Sequence, residues 1–527
     1  MTDSDGDVRR GGVILTVLVL LVLAQGTYFA HFLVPWDDES GYLVLGALAA
    51  EGRIDLFQDE MLGERPPLPF YVLGVSQVLF GKSLIAARLW SLALGIAAAA
   101  LVFEVGRHVG GLLCGVLSGL FLATQAMVVA YFATAMYHAL CSLLIAGGLY
   151  MWFVARSPVA AMAAFSLLTL TRPNMAVMVP LVLVLLLMNS RERRERWALV
   201  AVAAAPPVWF FLSDPQHLKM LAYVPLVNRL VKPLGYHSLF ELGGSALLPD
   251  RQWSEGVLWF VRRYLFWCAA GAGLVAMSLA NRFRKGRRGL PACPEMRIVA
   301  VLFAYTLTWQ WVILHQYFKS VAAWTASLAP LPALLLGYHA AILLRDREMP
   351  LLWRRALVAG LVAVFLLSPT FSTHSAMPSP LPVAGTTVSL LNELSEGLAE
   401  QVPAGTRVFL VGMSLPAYLA GIDPYLQQII HGWTLVPAED PSVLVRSGLW
   451  GRREIDRWLG QEASYAVIQP GRMNVYRAIG AYRDLVDVME TEIDAHFSLL
   501  AEVAIDPFQE YRVYQRRFGA GRVRASR

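Results

Sequence analysis

The chain has 527 residues, of which 57% are hydrophobic and 16% are charged, and its mean hydropathy is +0.52. These values exclude an ordinary soluble domain and indicate a polytopic membrane protein. The formal net charge is +6, but the cations lie in short segments between apolar runs, which excludes the continuous basic face of a nucleic-acid-binding protein. The four cysteines have no metal-like spacing, so they predict neither a disulfide framework nor a cysteine-based metal site.

The first apolar run, from Val13 to about Val34, predicts the first membrane-spanning helix. The apolar core of a cleaved signal peptide has only ~7–15 residues and is followed by small residues. This run is longer and ends at Pro35-Trp36, so we predict a retained signal anchor.

An acidic cluster, Asp37-Asp38-Glu39, follows this helix directly. Carboxylates near lipid are costly unless they face water, a partner or a substrate. A carboxylate within hydrogen-bond reach of a substrate hydroxyl or amine can act as a general base. We therefore predict Asp38 as a catalytic base, with Asp37 and Glu39 beside it. The alternative is a solvated acidic cap at the end of a helix.

The first outer loop, residues 35–83, contains two more features. Apolar residues at helical spacing over Gly41–Leu48 predict an amphipathic helix on the outer surface or, alternatively, a short helix that covers the bundle. Arg65 precedes Pro66-Pro67, and these prolines stiffen the loop that presents it. Because arginine's planar fork suits phosphate oxygens, Arg65 is the first candidate for a phosphate ligand.

Ten further apolar runs predict spans, so that the transmembrane domain covers residues 1–370 with about eleven helices. The runs are 84–106, 109–130, 135–155, 158–172, 174–190, 197–213, 256–280, 298–315, 321–344 and 353–370. Thr171-Arg172-Pro173-Asn174 predicts the turn between the fifth and sixth helices. Lys and Arg in short loops favour the cytoplasm. Their distribution predicts a cytoplasmic N-terminus and an extracytoplasmic C-terminus.

The composition changes after residue 370, where a proline- and serine-rich linker leads into a polar region. Strands are predicted at Arg407–Val411, Tyr465–Gln469, Ser498–Ala504 and Tyr511–Gln515, and helices near 387–400, 441–460 and 473–490. Alternating strands and helices predict a small α/β domain, residues 371–527, on the extracytoplasmic side.

Several outer residues complete the candidate site. Arg88, Arg172 and Lys319 join Arg65 as candidate ligands of a phosphate. Each of them, taken alone, is also suited to anchoring the protein at the membrane interface. Tyr42, Tyr71 and His315 are candidate substrate contacts, although a single histidine among aromatic residues is usually just packed. Hard cations need clustered oxygen ligands, and the acidic cluster is the only such group in the sequence. A bound divalent metal is therefore left open.

The order of these motifs resembles a family. One span is followed by Asp38-Glu39-x-x-Tyr42, then by Arg65-Pro66-Pro67-Leu68, by Leu79-Phe80-Gly81-Lys82-Ser83 and by Ala87-Arg88-Leu89. This pattern resembles the membrane glycosyltransferases of C-type fold, which include the protein O-mannosyltransferases, the lipid A aminoarabinose transferases and the lipopolysaccharide galacturonosyltransferases. Thr171-Arg172-Pro173 resembles a turn of the same group.

The resemblance implies an inverting transferase that acts on the extracytoplasmic face and uses a polyprenyl-phosphate sugar donor. It implies that Asp38 is the base, with Asp37 as the alternative by one position, and that Arg65 contacts the donor phosphate. Many relatives carry an acid near the start of the fourth helix, where this chain has Met136-Tyr137-His138. This departure puts a second carboxylate in doubt.

Two other classes of function stay open. A lipid or glycan transporter or flippase should show two similar halves or paired broken helices, and neither is evident in the sequence. A non-catalytic relative could act through its C-terminal domain. For the transferase, the partners are a lipid-linked sugar donor, membrane lipids and a lipid, glycan or protein acceptor, in the inner membrane of a bacterium. The sugar and the acceptor are not specified by the sequence.

Overall fold

We describe the structure of the protein as a computed structural model, in which the chain is mainly helical with a small C-terminal sheet. The described residues are 5–35, 37–56, 66–213, 217, 228–231, 233, 258, 260–285, 293–313, 325–376, 387–429, 435–436, 450–505 and 508–517.

The chain forms two compact units that interleave along the sequence. Unit 1 contains residues 1–33, 87–212 and 250–380. Unit 2 contains residues 34–86, 213–249 and 381–527. The segment that carries the acidic cluster therefore belongs to the same unit as the C-terminal sheet.

The apolar runs form helices, several of which begin or end some residues away from the predicted bounds. Four of the described helices are long and apolar enough to cross a membrane, namely Arg9–Phe32, Leu84–Ala123, Arg193–Ser213 and Leu351–Pro369. The predicted number of eleven spans stays a prediction. The helices of the first 376 residues are α1 (Asp5–Phe32), α2 (Asp37–Ala50), α3 (Leu68–Phe80), α4 (Leu84–Ala123), α5 (Ala126–Phe132), α6 (His138–Phe153), α7 (Pro158–Ser166), α8 (Pro173–Ala176), α9 (Met178–Asn189), α10 (Arg193–Ser213), α11 (Asn228–Val231), α12 (Leu265–Lys285), α13 (Pro294–Ile313), α14 (Pro330–Arg345) and α15 (Leu351–Ala376).

Helix α4 combines the second predicted span with most of the third. Its backbone leaves helical geometry at Gly110 and at Gly111, whose φ of 69° favours glycine. The third predicted span, 109–130, is wrong at its end, because the chain turns at Thr124-Gln125 before the short helix α5. The predicted turn at 171–174 is confirmed: Arg172 is extended between a 3₁₀ turn, Leu167–Leu170, and α8.

Helix α2 is buried along most of its length, in contrast to the predicted amphipathic surface helix. Residues 39–49 are all buried, since the segment from Gly41 to Ala50 has no polar face to offer to water. Gly46 and Gly74 bring the backbones of α2 and α3 into contact, and a Cβ atom at either glycine would overlap the other helix. The helices α2 and α3 are therefore a tightly packed pair within unit 2.

The C-terminal domain has a five-stranded sheet in the order β2-β1-β3-β5-β4. Strands β1, β2 and β3 are parallel, and β5 runs antiparallel to both β3 and β4. The four predicted strands are confirmed, and β2 was not predicted because it has only two residues. The elements are α16 (Thr387–Gln401), β1 (Arg407–Val411), α17 (Ser414–Leu419), β2 (Asp423–Pro424), α18 (Leu426–Ile429), α19 (Arg452–Arg457), β3 (Tyr465–Ile468), α20 (Pro470–Ala478), α21 (Arg483–His496), β4 (Phe497–Ile505) and β5 (Phe508–Arg516).

The core of this domain is aromatic. Phe409 on β1 lies edge-on against Trp450, with ring centroids 5.8 Å apart, and Tyr425 stacks on Trp458 at 4.4 Å. Aromatic pairs of this kind add about 0.5–1.5 kcal/mol beyond the area that they bury. They hold the segments around Tyr425 and Trp458 against the edge of the sheet that carries β1 and β2.

Candidate functional site

The acidic cluster lies in the first turn of α2. Asp37 begins the helix, and its side chain lies outside the described residues. Asp38 is partly exposed, whereas Glu39 is 0% exposed and Ser40 is 1% exposed. Of the two described carboxylates, only that of Asp38 is accessible to a substrate from solvent.

The packing of α2 on α3 fixes the position of Asp38. Tyr42 is buried one turn after Asp38 and packs on Phe70 of α3, with ring centroids 4.6 Å apart. One turn farther along α2, Gly46 contacts the backbone of α3 at Gly74. Tyr42 is therefore part of the packing that holds the acid end of α2. Tyr71, also on α3, is partly exposed.

Three of the predicted site residues cannot be located. Arg65, His315 and Lys319 lie outside the described residues. Their predicted contacts with the donor phosphate and the substrate stay predictions.

Arg88 is fully buried at the start of α4. Its Nη1 donates hydrogen bonds to the backbone oxygens of Ala30 and Leu33, each at 2.9 Å. These carbonyls lie at the C-terminal end of α1, where the last oxygens of a helix have no partner within the helix. The contacts explain a buried arginine without a phosphate ligand, so we leave Arg88 out of the proposed phosphate-binding group.

Arg172 has different surroundings. It is partly exposed at the predicted turn, and its guanidinium lies over the ring of Tyr137, 4.5 Å from the ring centroid. Stacking uses the face of a guanidinium, whereas phosphate oxygens bind its N–H edge. The contact with Tyr137 is therefore compatible with a phosphate ligand.

A buried polar cluster lies next to Tyr137. The Nδ1 atom of His138 is 3.0 Å from Ser327 Oγ, and Ser142 Oγ donates to the backbone oxygens of Ala326 and Ser327 at 3.0 and 3.1 Å. His138 Nε2 has no hydrogen-bond partner among the described residues. The family resemblance drew attention to His138 because many relatives carry an acidic residue near this position. It did not predict that Ser142 and Ser327 lie beside His138. The i, i+4 spacing of His138 and Ser142 was the available signal.

The described residues offer no set of metal ligands. Within the described ranges, no three His, Cys, Asp or Glu side chains lie close enough to hold a metal ion. In the acidic cluster, Glu39 is buried while Asp38 faces outward, so these two carboxylates do not present one set of clustered oxygens to a hard cation.

Comparisons with known proteins support the predicted resemblance. The family described as dolichyl-phosphate-mannose-protein mannosyltransferase matches residues 64–210. A comparison with curated protein sequences gave no match.

Solved structures match over nearly the whole chain. ArnT from Cupriavidus metallidurans bound to undecaprenyl phosphate has a TM-score of 0.57 at 13% identity, covering 95% of this chain and 97% of that chain. Its apo state has a TM-score of 0.55 at 13% identity, covering 96% and 98%. The apo oligosaccharyltransferase of Archaeoglobus fulgidus has a TM-score of 0.50 at 12% identity, covering 91% of this chain and 72% of that chain.

These identities are low, so the likeness to the solved structures concerns the fold. Together with the family match, it identifies an integral membrane protein built like these enzymes. The predicted resemblance is confirmed, and the chain has the C-type fold of the membrane glycosyltransferases.

Proposed function

We propose that the protein is an inverting glycosyltransferase that moves a sugar from a polyprenyl-phosphate donor to an acceptor on the extracytoplasmic face of the membrane. The family match and the likeness to ArnT with undecaprenyl phosphate support a lipid-linked donor. The observation that carries the proposal is the accessible Asp38 in the first turn of a firmly packed helix, in a chain with this fold.

Asp38 is the proposed base. Its partial exposure lets an acceptor hydroxyl or amine approach its carboxylate, whereas Glu39 is fully buried. Asp37 precedes it by one position and stays the alternative. A well-placed general base contributes about 10²–10⁴-fold to a rate.

The reaction is a single displacement at the anomeric carbon of the donor sugar. The acceptor oxygen or nitrogen attacks this carbon while its proton passes to Asp38. The bond between the anomeric carbon and the phosphate oxygen breaks, and the polyprenyl phosphate leaves with the electron pair. One displacement inverts the configuration at the anomeric carbon.

Negative charge on the departing phosphate requires cations. Among the described residues, Arg172 is the candidate for this role. It is partly exposed, and its contact with Tyr137 uses the face of the guanidinium and not the N–H edge that binds an anion. Arg65 and Lys319 are the other proposed phosphate ligands. Tyr42, Tyr71 and His315 are proposed to line the substrate site, Tyr42 mainly by supporting α2. The inner membrane of a bacterium, with the C-terminal domain outside, is the proposed location.

The test compares cells that produce the intact protein with cells that produce Asp38→Asn. We expect the variant to lose transfer by about 10²–10⁴-fold, because an amide cannot accept the proton. Mass spectrometry of lipids and glycans should show a carrier lipid that retains its sugar and one glycan that lacks the same mass. Asp484→Asn is the matched control, since it removes an exposed aspartate from the first turn of α21.

Full transfer by Asp38→Asn would exclude Asp38 as the base and direct attention to Asp37. Unchanged lipids and glycans in cells without the protein would contradict the transferase and favour a transporter or a non-catalytic relative.

A further inference from the structure

Unit 2 contains a cavity of about 520 Å³ that is separate from the acid end of α2. Cavities of about 300–1,000 Å³ accommodate small-molecule ligands. One wall is the C-terminal half of α2, with Val44, Leu48 and Glu51. The opposite wall belongs to the C-terminal domain, with Arg407, Tyr418 and Trp458.

Lys82 also lines the cavity and lies in the turn between α3 and α4. The side chain of Gln77 donates to the backbone oxygen of Ser83 and accepts from its N–H, both at 3.0 Å. This pair of bonds clamps the turn that carries Lys82.

The cavity is lined by four cations and three carboxylates, and two of the cations are paired. Arg53 lies 3.6 Å from Glu51 and 3.5 Å from Asp423, and Arg457 lies 3.3 Å from Glu462.

The other two cations, Lys82 and Arg407, have no carboxylate partner among the described residues. They lie over the rings of Tyr418 and Tyr425, at 4.8 and 5.7 Å from the ring centroids. Two cations of the lining are therefore available to an anion.

We propose that this cavity binds an anionic saccharide, a sugar that carries a phosphate or a carboxylate, as the recognition group of the acceptor. Lys82 and Arg407 supply the positive charge, and the aromatic side chains of Tyr418, Tyr425 and Trp458 supply apolar surface for the sugar. The walls combine apolar and aromatic surface with a few polar groups, as ligand sites commonly do.

The assignment to the acceptor rests on the proposed function and on the geometry of α2. Asp38 and Leu48 are ten residues apart on one helix, which corresponds to about 15 Å along its axis. A ligand held in the cavity by one end must therefore be extended for its reacting group to approach Asp38. The acceptor is accordingly larger than one sugar.

The binding test uses the full-length protein in detergent and four probes: glucose 6-phosphate, glucuronate, glucose and inorganic phosphate. Calorimetric titration should show saturable binding of the two anionic sugars and at least about tenfold weaker binding of glucose and of phosphate alone. Absence of binding by both anionic sugars would overturn the proposal. Equal binding of phosphate and glucose 6-phosphate would contradict its saccharide part.

Substitutions of lining residues test whether the sugar probes bind in this cavity. Lys82→Ala and Arg407→Ala should each weaken the binding of glucose 6-phosphate by about tenfold or more, because hydrogen bonds to charged groups are the stronger ones. Arg483→Ala, which removes an exposed arginine outside the cavity, should leave it unchanged. Unchanged binding by Lys82→Ala and Arg407→Ala would place the sugar elsewhere and overturn the proposal.

Kinetics connect the cavity to transfer. Lys82→Ala should raise KM for the acceptor with little change in kcat, since the lysine binds a part of the acceptor far from the reacting atoms. A lower kcat at unchanged KM would contradict this role. Probe binding does not require turnover, so it can succeed where the Asp38→Asn test fails, and the two proposals fail separately.

Discussion

Arg88 and Arg172 are two arginines that look alike in the sequence, and unit 1 uses them differently. Arg88 is fully buried and donates to two carbonyl oxygens at the end of α1. Arg172 is partly exposed and stacks on one aromatic ring at a break between helices. Both lie near one end of a predicted span, and residue type alone suggested that both bind phosphate.

The difference shows which observations separate a structural cation from a ligand-binding one. A buried arginine whose donors reach backbone carbonyls satisfies atoms that the fold cannot leave without partners. A partly exposed arginine that stacks through its face has an N–H edge whose geometry matches the oxygens of a phosphate. Burial and hydrogen-bond partners therefore distinguish a structural arginine from a ligand-binding one, and three substitutions test this distinction.

The largest effect is expected for Arg88→Ala. The oxygens of Ala30 and Leu33 would lose a donor, and each unsatisfied buried group costs about 1–3 kcal/mol, so the free energy of unfolding should fall by about 2–6 kcal/mol. Chemical unfolding of the full chain in detergent measures this loss.

Arg107→Ala is the matched control on the same helix. Arg107 pairs with Glu104 at 2.9 Å, and both side chains are about 30% exposed. Its removal should cost less than about 1 kcal/mol. Equal stability losses for the two variants would remove the contrast between buried and exposed arginines on which the interpretation of Arg88 depends.

The second substitution, Arg172→Ala, should chiefly affect activity, and loss of the contact with Tyr137 should lower the free energy of unfolding by at most about 2 kcal/mol. Loss of a preorganised donor to a developing anion costs about 10²–10³-fold in kcat. Arg172→Lys keeps the charge but not the planar fork, so it should retain part of the activity. Steady-state transfer from the lipid donor measures both variants. Normal kcat with a large loss of stability would put Arg172 in the same structural class as Arg88.

The secondary structure of the chain could be predicted well from local patterns. The strands at 407–411 and 465–468 and the turn at Arg172 follow from β-rich runs and from a proline after a polar residue, and these signals are contained in a few neighbouring residues. The grouping of residues 34–86 with residues 381–527 could not be predicted in this way. It depends on contacts between segments about 300 residues or more apart, for which one sequence holds no periodic signal.

The residues of the candidate site also divide into those that have a local sequence signal and those that depend on contacts between distant segments. Asp38 stood out because an acidic cluster after an apolar helix is locally unusual, and its partial exposure agrees with a site at the surface of unit 2. The hydrogen bonds of Arg88 could not be predicted because its partners are backbone oxygens of a distant helix, which no side-chain pattern reveals. The cavity beside Lys82 and Arg407 was missed for the same reason, since its two walls come from opposite ends of the chain.

The smallest effect is expected for Tyr137→Leu, which removes the ring below Arg172. A cation–π contact contributes about 0.5–2 kcal/mol, so transfer should fall by roughly twofold to thirtyfold if the ring positions the guanidinium for the donor phosphate. Tyr137→Phe keeps the ring and should keep most of the activity. The ratio of kcat/KM for the lipid donor between these variants is the measurement, with unfolding stability followed in parallel. Equal activity of the two would show that stacking does not position Arg172, and the contrast with Arg88 would then rest on exposure alone.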